Sequence, residues 1–123
     1  MNQKTIILAL LLFACKIICG QSYDFRHYQV ENGLSNNATI CCLQDKKGFL
    51  WFGTKDGLNR FDGIDCKKFY ATTATPQGIK GTLFLNILED KNGNMWIGSN
   101  EGLNFYNRKT DSFNCYKVAA TNS

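Results

Sequence analysis

Gln44-Asp45-Lys46-Lys47-Gly48-Phe49-Leu50-Trp51-Phe52-Gly53 decides how this chain is read, because Glu89-Asp90-Lys91-Asn92-Gly93-Asn94-Met95-Trp96-Ile97-Gly98 restates it in the same register. Trp51 and Trp96 lie 96 − 51 = 45 residues apart. The same offset pairs Gly33 with Gly78, Gly57 with Gly102, Leu58 with Leu103, Asn59 with Asn104 and Phe61 with Tyr106. Rare residues matching without a gap mark an internal duplication. A period of roughly 40–50 residues points to β-propellers or helical arrays.

Local chemistry selects between those two. Ile40 to Leu43 and Phe49 to Gly53 are β-rich runs joined by an Asp…Gly turn, the pattern of a hairpin. Asp56-Gly57 is a tight-turn pair, since glycine takes positive φ at little cost. Leu58–Phe61 and Cys66–Tyr70 complete four strands, and Phe84–Glu89, Asn94–Gly98, Leu103–Tyr106 and Phe113–Tyr116 repeat them. Four strands in an up-and-down meander are the make-up of a propeller blade. No segment sustains helical periodicity. The fold class is therefore all-β: two four-stranded antiparallel meander blades of an incomplete propeller. In it, Trp51 and Trp96 supply packing between neighbouring blades, Gly53 and Gly98 allow close backbone approach, and Asp45 and Asp90 bond turn amides.

The remaining sequence frames this unit. Of 123 residues, 44% are apolar and 20% charged, with six cysteines and one proline. That is the composition of a globular chain and argues against disorder or a coiled coil. Residues 1–20 read as a secretory signal peptide, with Lys4 ahead of an apolar run from Ile6 to Cys15 and small Gly20 before the cleavage point. Ten apolar residues are too few for a span, which needs about 20. Leu12-Phe13-Ala14-Cys15 loosely resembles a lipobox, making lipid anchoring at Cys15 the weaker alternative. The expected organisation is 1–20 signal peptide, 21–30 N-terminal strand segment, 31–75 first repeat, 76–120 second repeat and 121–123 tail. Without residues 1–20 the formal charge is 12 − 10 = +2. So weak and scattered an excess disfavours nucleic acid as a partner. Lys46-Lys47 and Lys67-Lys68 read as solvated turn and edge residues.

With those residues in place, Glu31-Asn32-Gly33-Leu34-Ser35, the stretch from Gln44 to Thr54, Asp56-Gly57-Leu58-Asn59-Arg60-Phe61-Asp62-Gly63 and their second copies resemble the two-component regulator propeller repeat. Phe25-Arg26-His27-Tyr28 is similar to the segment that precedes the first repeat in such sensors. The resemblance implies the periplasmic sensor region of a hybrid histidine kinase, one responsive to oligosaccharides. It also implies partners of two kinds, an oligosaccharide ligand and further blades. The chain carries neither the kinase modules nor the full set of blades of that family's pattern. The alternative reading is a small secreted module that completes a ring by self-association, with copies supplying the roughly 4–8 blades of a propeller.

No enzyme, cofactor or metal site is expected. His27 is a lone imidazole, and the cysteines lack paired C-x-x-C spacing. Cys41 and Cys42 are adjacent in a strand and point to opposite faces. Cys66 and Cys115 could pair in an oxidising compartment, while the plainer reading makes all four small buried hydrophobes. Asp90-Lys91-Asn92-Gly93-Asn94 has its glycine at the fourth position, not the sixth of a calcium loop. Asp45 and Asp56 suggest an acid–base pair only superficially, because hydrated turn carboxylates are rarely tuned. The ligand-binding residues are not identifiable, as propeller sites are built from several blades. Two blades alone should be poorly stable, with apolar faces and strand edges open to water.

Overall fold

The computed structural model describes residues 1–14 and 20–117. The apolar N-terminal run forms a helix, α1 (Gln3–Ala14), whose leucines and isoleucines are exposed. Among the described residues, no helix is long and apolar enough to cross a membrane. Cys15 and the 121–123 tail lie outside the described residues.

The repeats fold as two four-stranded antiparallel sheets in sequential order. The first comprises β1 (Thr39–Gln44), β2 (Leu50–Thr54), β3 (Gly57–Phe61) and β4 (Cys66–Phe69). The second comprises β5 (Phe84–Glu89), β6 (Met95–Ser99), β7 (Gly102–Asn107) and β8 (Ser112–Tyr116). Register is duplicated as well: Leu43 pairs Trp51 as Leu88 pairs Trp96, and a bulge interrupts β1–β2 and β5–β6 at matching places. All eight strands fall where residue pattern and turn chemistry place them. The β1–β2 and β5–β6 turns close on Gly48 (φ 92°) and Gly93 (φ 81°), a left-handed geometry that costs a side-chain-bearing residue more.

The sheets stack face to face. Trp51 and Leu58 of the first meet Phe84, Ile87, Ile97, Tyr106 and Phe113 of the second, all buried, with Cys41, Leu43 and Phe69 packed around them. Trp51 lies parallel to Phe69 at 6.0 Å and edge-on to Tyr106 at 5.0 Å. Aromatic pairs at such distances add to simple area burial.

The strand expected at 21–30 does not form. Residues 20–29 have no regular structure and lead into a single 3-10 turn, Val30–Asn32. Tyr28 instead lays its ring on Phe52 (5.6 Å) and Phe61 (5.1 Å), covering the far side of the first sheet. Side-chain burial thus holds this segment where backbone pairing was anticipated.

Candidate functional site

Each repeat is organised by one aspartate. Asp45 Oδ1 accepts from the backbone N–H groups of Lys47 and Phe49, both at 3.0 Å, as the turn chemistry implies. Its Oδ2 accepts from Trp51 Nε1 at 2.8 Å and from Arg108 Nη1 at 3.0 Å. Asp90 repeats the pattern with Asn92, Asn94 and Trp96. Burial pushes the Asp45 carboxyl up, but the Trp51, Arg108 and Phe49 donors outweigh it and hold it below the ordinary aspartate value. Asp90, bonded chiefly by Asn94, is lowered to about 2. Such carboxylates are structural acceptors, permanently ionised at neutral pH.

A second pair of residues does work that their residue types alone did not disclose. Asn59 accepts from Ser35 N at 2.8 Å and donates to Ser35 Oγ at 2.9 Å. Asn104 does the same for Lys80, through its N–H at 2.9 Å and its carbonyl at 3.0 Å. Both amides are buried and tie the incoming loop to the third strand. Their recurrence at the 45-residue offset was the available signal.

Polar bridges also join the two repeats. Arg60 Nη1 donates to Tyr106 Oη at 2.6 Å, and Tyr106 donates in turn to Asp111, which also pairs with Lys67. Burial, then the bond to Asp111, pushes the Tyr106 hydroxyl up to about 12. Lys46 is an exposed turn residue, as expected, and it also bridges the repeats: its N–H bonds Glu89 at 2.8 Å, and its ammonium reaches Asp90 O and Lys91 O. Lys67, through Asp111, is likewise engaged. These partners sit on another repeat, so no local pattern could show them.

The remaining candidates stay apart. His27 is exposed. Asp45 is buried before β2, whereas Asp56 is exposed after it, so the strand separates them. Cys41, Cys42, Cys66 and Cys115 are free thiols. None of them is the buried hydrophobe expected: Cys41, Cys66 and Cys115 are half-buried, and Cys42 is exposed because its side of the first sheet is only partly covered by Tyr28. No cluster of three or more His, Cys, Asp or Glu that could hold a metal occurs among the described residues.

The two equivalent sheet faces differ in cover. Trp51 and Leu58 are fully buried, while their counterparts are open: Leu103 is 38% exposed and Trp96 only half-buried. Leu88 and Tyr116, on the same face as Trp96, are 60% and 55% exposed. Glycine contacts report the same asymmetry. A Cβ on Gly53 would meet Cys41 Sγ at 2.5 Å and Phe84 Cβ and O at 3.1 Å. One on Gly98 would meet nothing nearer than Asn86 at 3.9 Å. The Trp96 face is built like a covered face and is uncovered.

Fold and face together define the class: consecutive blades of a β-propeller. The family model for the two component regulator propeller matches residues 33–56 and 78–101, the two copies of one unit. Both matched stretches carry that repeat. It is similar to the extracellular domain of the protein assigned as hybrid two component system BT3049 from B. thetaiotaomicron, at 36% identity and a TM-score of 0.70 over 79% of this chain. A second extracellular domain from that organism, of the system designated BT4673, shares the fold at 24% identity and a TM-score of 0.63. Over 42 residues the chain is 48% identical to Histidine kinase P4 of Formosa agariphila. It spans 14% of the BT3049 domain and 3% of that kinase.

Proposed function

We propose that this chain forms the first blades of an extracytoplasmic propeller sensor whose full assembly responds to oligosaccharides and signals through a histidine kinase. The observation that carries this reading is the open Trp96 face, whose tryptophan, glycine and leucine repeat those of a face that the second repeat covers in the first. Trp96, Leu103 and Gly98 sit where Trp51, Leu58 and Gly53 sit, with no sheet above them among the described residues. Another blade is the occupant that the internal repeat itself specifies. The role is one of recognition and not of catalysis, and export by the 1–20 leader would deliver the blades outside the cytoplasm.

Head-to-tail self-association would use the same face. Its counterpart would be the Phe52–Phe61 side of the first sheet, which carries Tyr28.

A chimera tests the reading: residues 25–117 replace the matching two repeats in the 36%-identical extracellular domain. The expected chimera unfolds in one cooperative transition, and its melting temperature rises with at least one member of an oligosaccharide panel. A chimera that fails to fold refutes the blade reading, and one that folds yet ignores the whole panel refutes oligosaccharide sensing.

A further inference from the structure

Three turns converge at one end of the stacked sheets: Asp45–Gly48, Asp90–Gly93 and Arg108–Asp111. They enclose an open crevice of about 650 Å³. Its walls are fixed by bonds within the second repeat and across to the first. Lys46 bonds Glu89, Asp90 O and Lys91 O, while Arg108 bonds Gly93 O at 3.1 Å, Asp45 at 3.0 Å and Glu89 at 3.3 Å. Arg108 thereby shares its single positive charge between Glu89 and Asp45. Lys47, Lys91 and Lys109 also line the crevice, and their ammonium groups have no hydrogen-bond or ion-pair partner among the described residues. Asn92 and the half-buried ring of Phe105 complete the lining.

We infer that this crevice binds an acidic oligosaccharide, with sulfate or carboxylate groups on Lys47, Lys91 and Lys109, sugar hydroxyls on Asn92 and a sugar face on Phe105. The three cations come from three different turns, so they suit an anion repeated along a chain better than one compact ion. A preformed wall lowers the ordering cost of binding. The flexible ammonium groups act as point charges, giving an attraction that salt screens within about 10 Å at 0.1 M ionic strength. This inference rests on the oligosaccharide-sensing reading and specifies its ligand as anionic.

The test is calorimetric titration of the whole chain with a sulfated hexasaccharide, its desulfated counterpart, inorganic sulfate and an oligonucleotide of equal charge. The sulfated sugar should bind at least tenfold more tightly than the other three. The triple variant K47Q/K91Q/K109Q should lose that preference with an unchanged melting temperature, while K55Q/K68Q, outside the crevice, should keep it. Equal binding of the desulfated sugar or of the oligonucleotide overturns the inference, as does full binding by the triple variant. Binding of both sugars alike would leave oligosaccharide sensing standing, and binding of neither refutes the crevice while the chimera judges sensing separately.

Discussion

Arg108 Nη1 lies 3.0 Å from Asp45 Oδ2 across 63 residues of sequence, so the last turn of the second repeat clamps the first turn of the first. The Asp45 side chain is fully buried and that of Arg108 is 18% exposed. Arg108→Met leaves that carboxylate with Trp51 and two backbone donors but no counter-charge. The variant should lose about 2–4 kcal/mol, somewhat less than a fully buried pair broken on one side. Urea unfolding followed by tryptophan fluorescence measures it, and a loss below about 0.5 kcal/mol would mean that the clamp is ornamental.

Acid should unfold the chain through its turn carboxylates. Asp45 and Asp111 are held low by their donors against the opposing effect of burial, and Asp90 is held at about 2. Because the folded values lie below the unfolded one, the unfolded chain takes up protons first as the pH falls. Their stabilisation is therefore complete above pH ~4 and disappears progressively as the pH drops through the folded values. Melting temperatures recorded between pH 6 and pH 2 should decline mainly over the last two units, and a flat profile would contradict the assignment.

Gly53 and Gly98 should respond differently to the same substitution. Gly53→Ala drives a methyl group into Cys41 and the Phe84 backbone, which should cost about 1–3 kcal/mol. Gly98→Ala has room and should be neutral or stabilising by up to about 1 kcal/mol. Covering the Trp96 face with a further blade should reverse that second result, which thermal melts of the chain and of the chimera would reveal.

The two tryptophans should separate in the same way. Trp51→Ala removes a fully buried ring from between the sheets and should cost about 3–5 kcal/mol. Trp96→Ala should cost less than half as much. In the intact chain acrylamide should quench Trp96 and spare Trp51, and equal quenching would place both on open faces.

Thiol labelling tests the cysteine positions. Cys42 is exposed, while burial raises the Cys41 thiol above its ordinary value and so lowers its reactive thiolate fraction. Iodoacetamide at pH 8 should modify Cys42 well before Cys41, as peptide mass analysis would show.

Strand positions, antiparallel order and the two Asp…Gly turns were legible because each is set by residues within a few positions of one another. Asp45 already announces its turn, and Trp51 its large apolar surface. Their mutual hydrogen bond, six residues apart and repeated at Asp90 and Trp96, lay within reach of the same pattern. The course of the segment at 21–30 is not legible locally, because Tyr28 is held by Phe52 and Phe61, more than twenty residues away.

By itself, the sequence determined that this protein is a duplicated four-stranded unit, since alternation, glycine turns and a 45-residue period are all local or directly countable. Only the tertiary structure decided which duplicate residues are equivalent in environment as well as in type. Trp51 is sealed and Trp96 is not, because a sheet face is completed by the neighbour that packs on it. The same holds for Lys46, Lys91 and Lys109, which are scattered along the chain and gathered at one crevice by sheet stacking. Side-chain surroundings depend on distances between distant parts of the chain, which packing alone fixes.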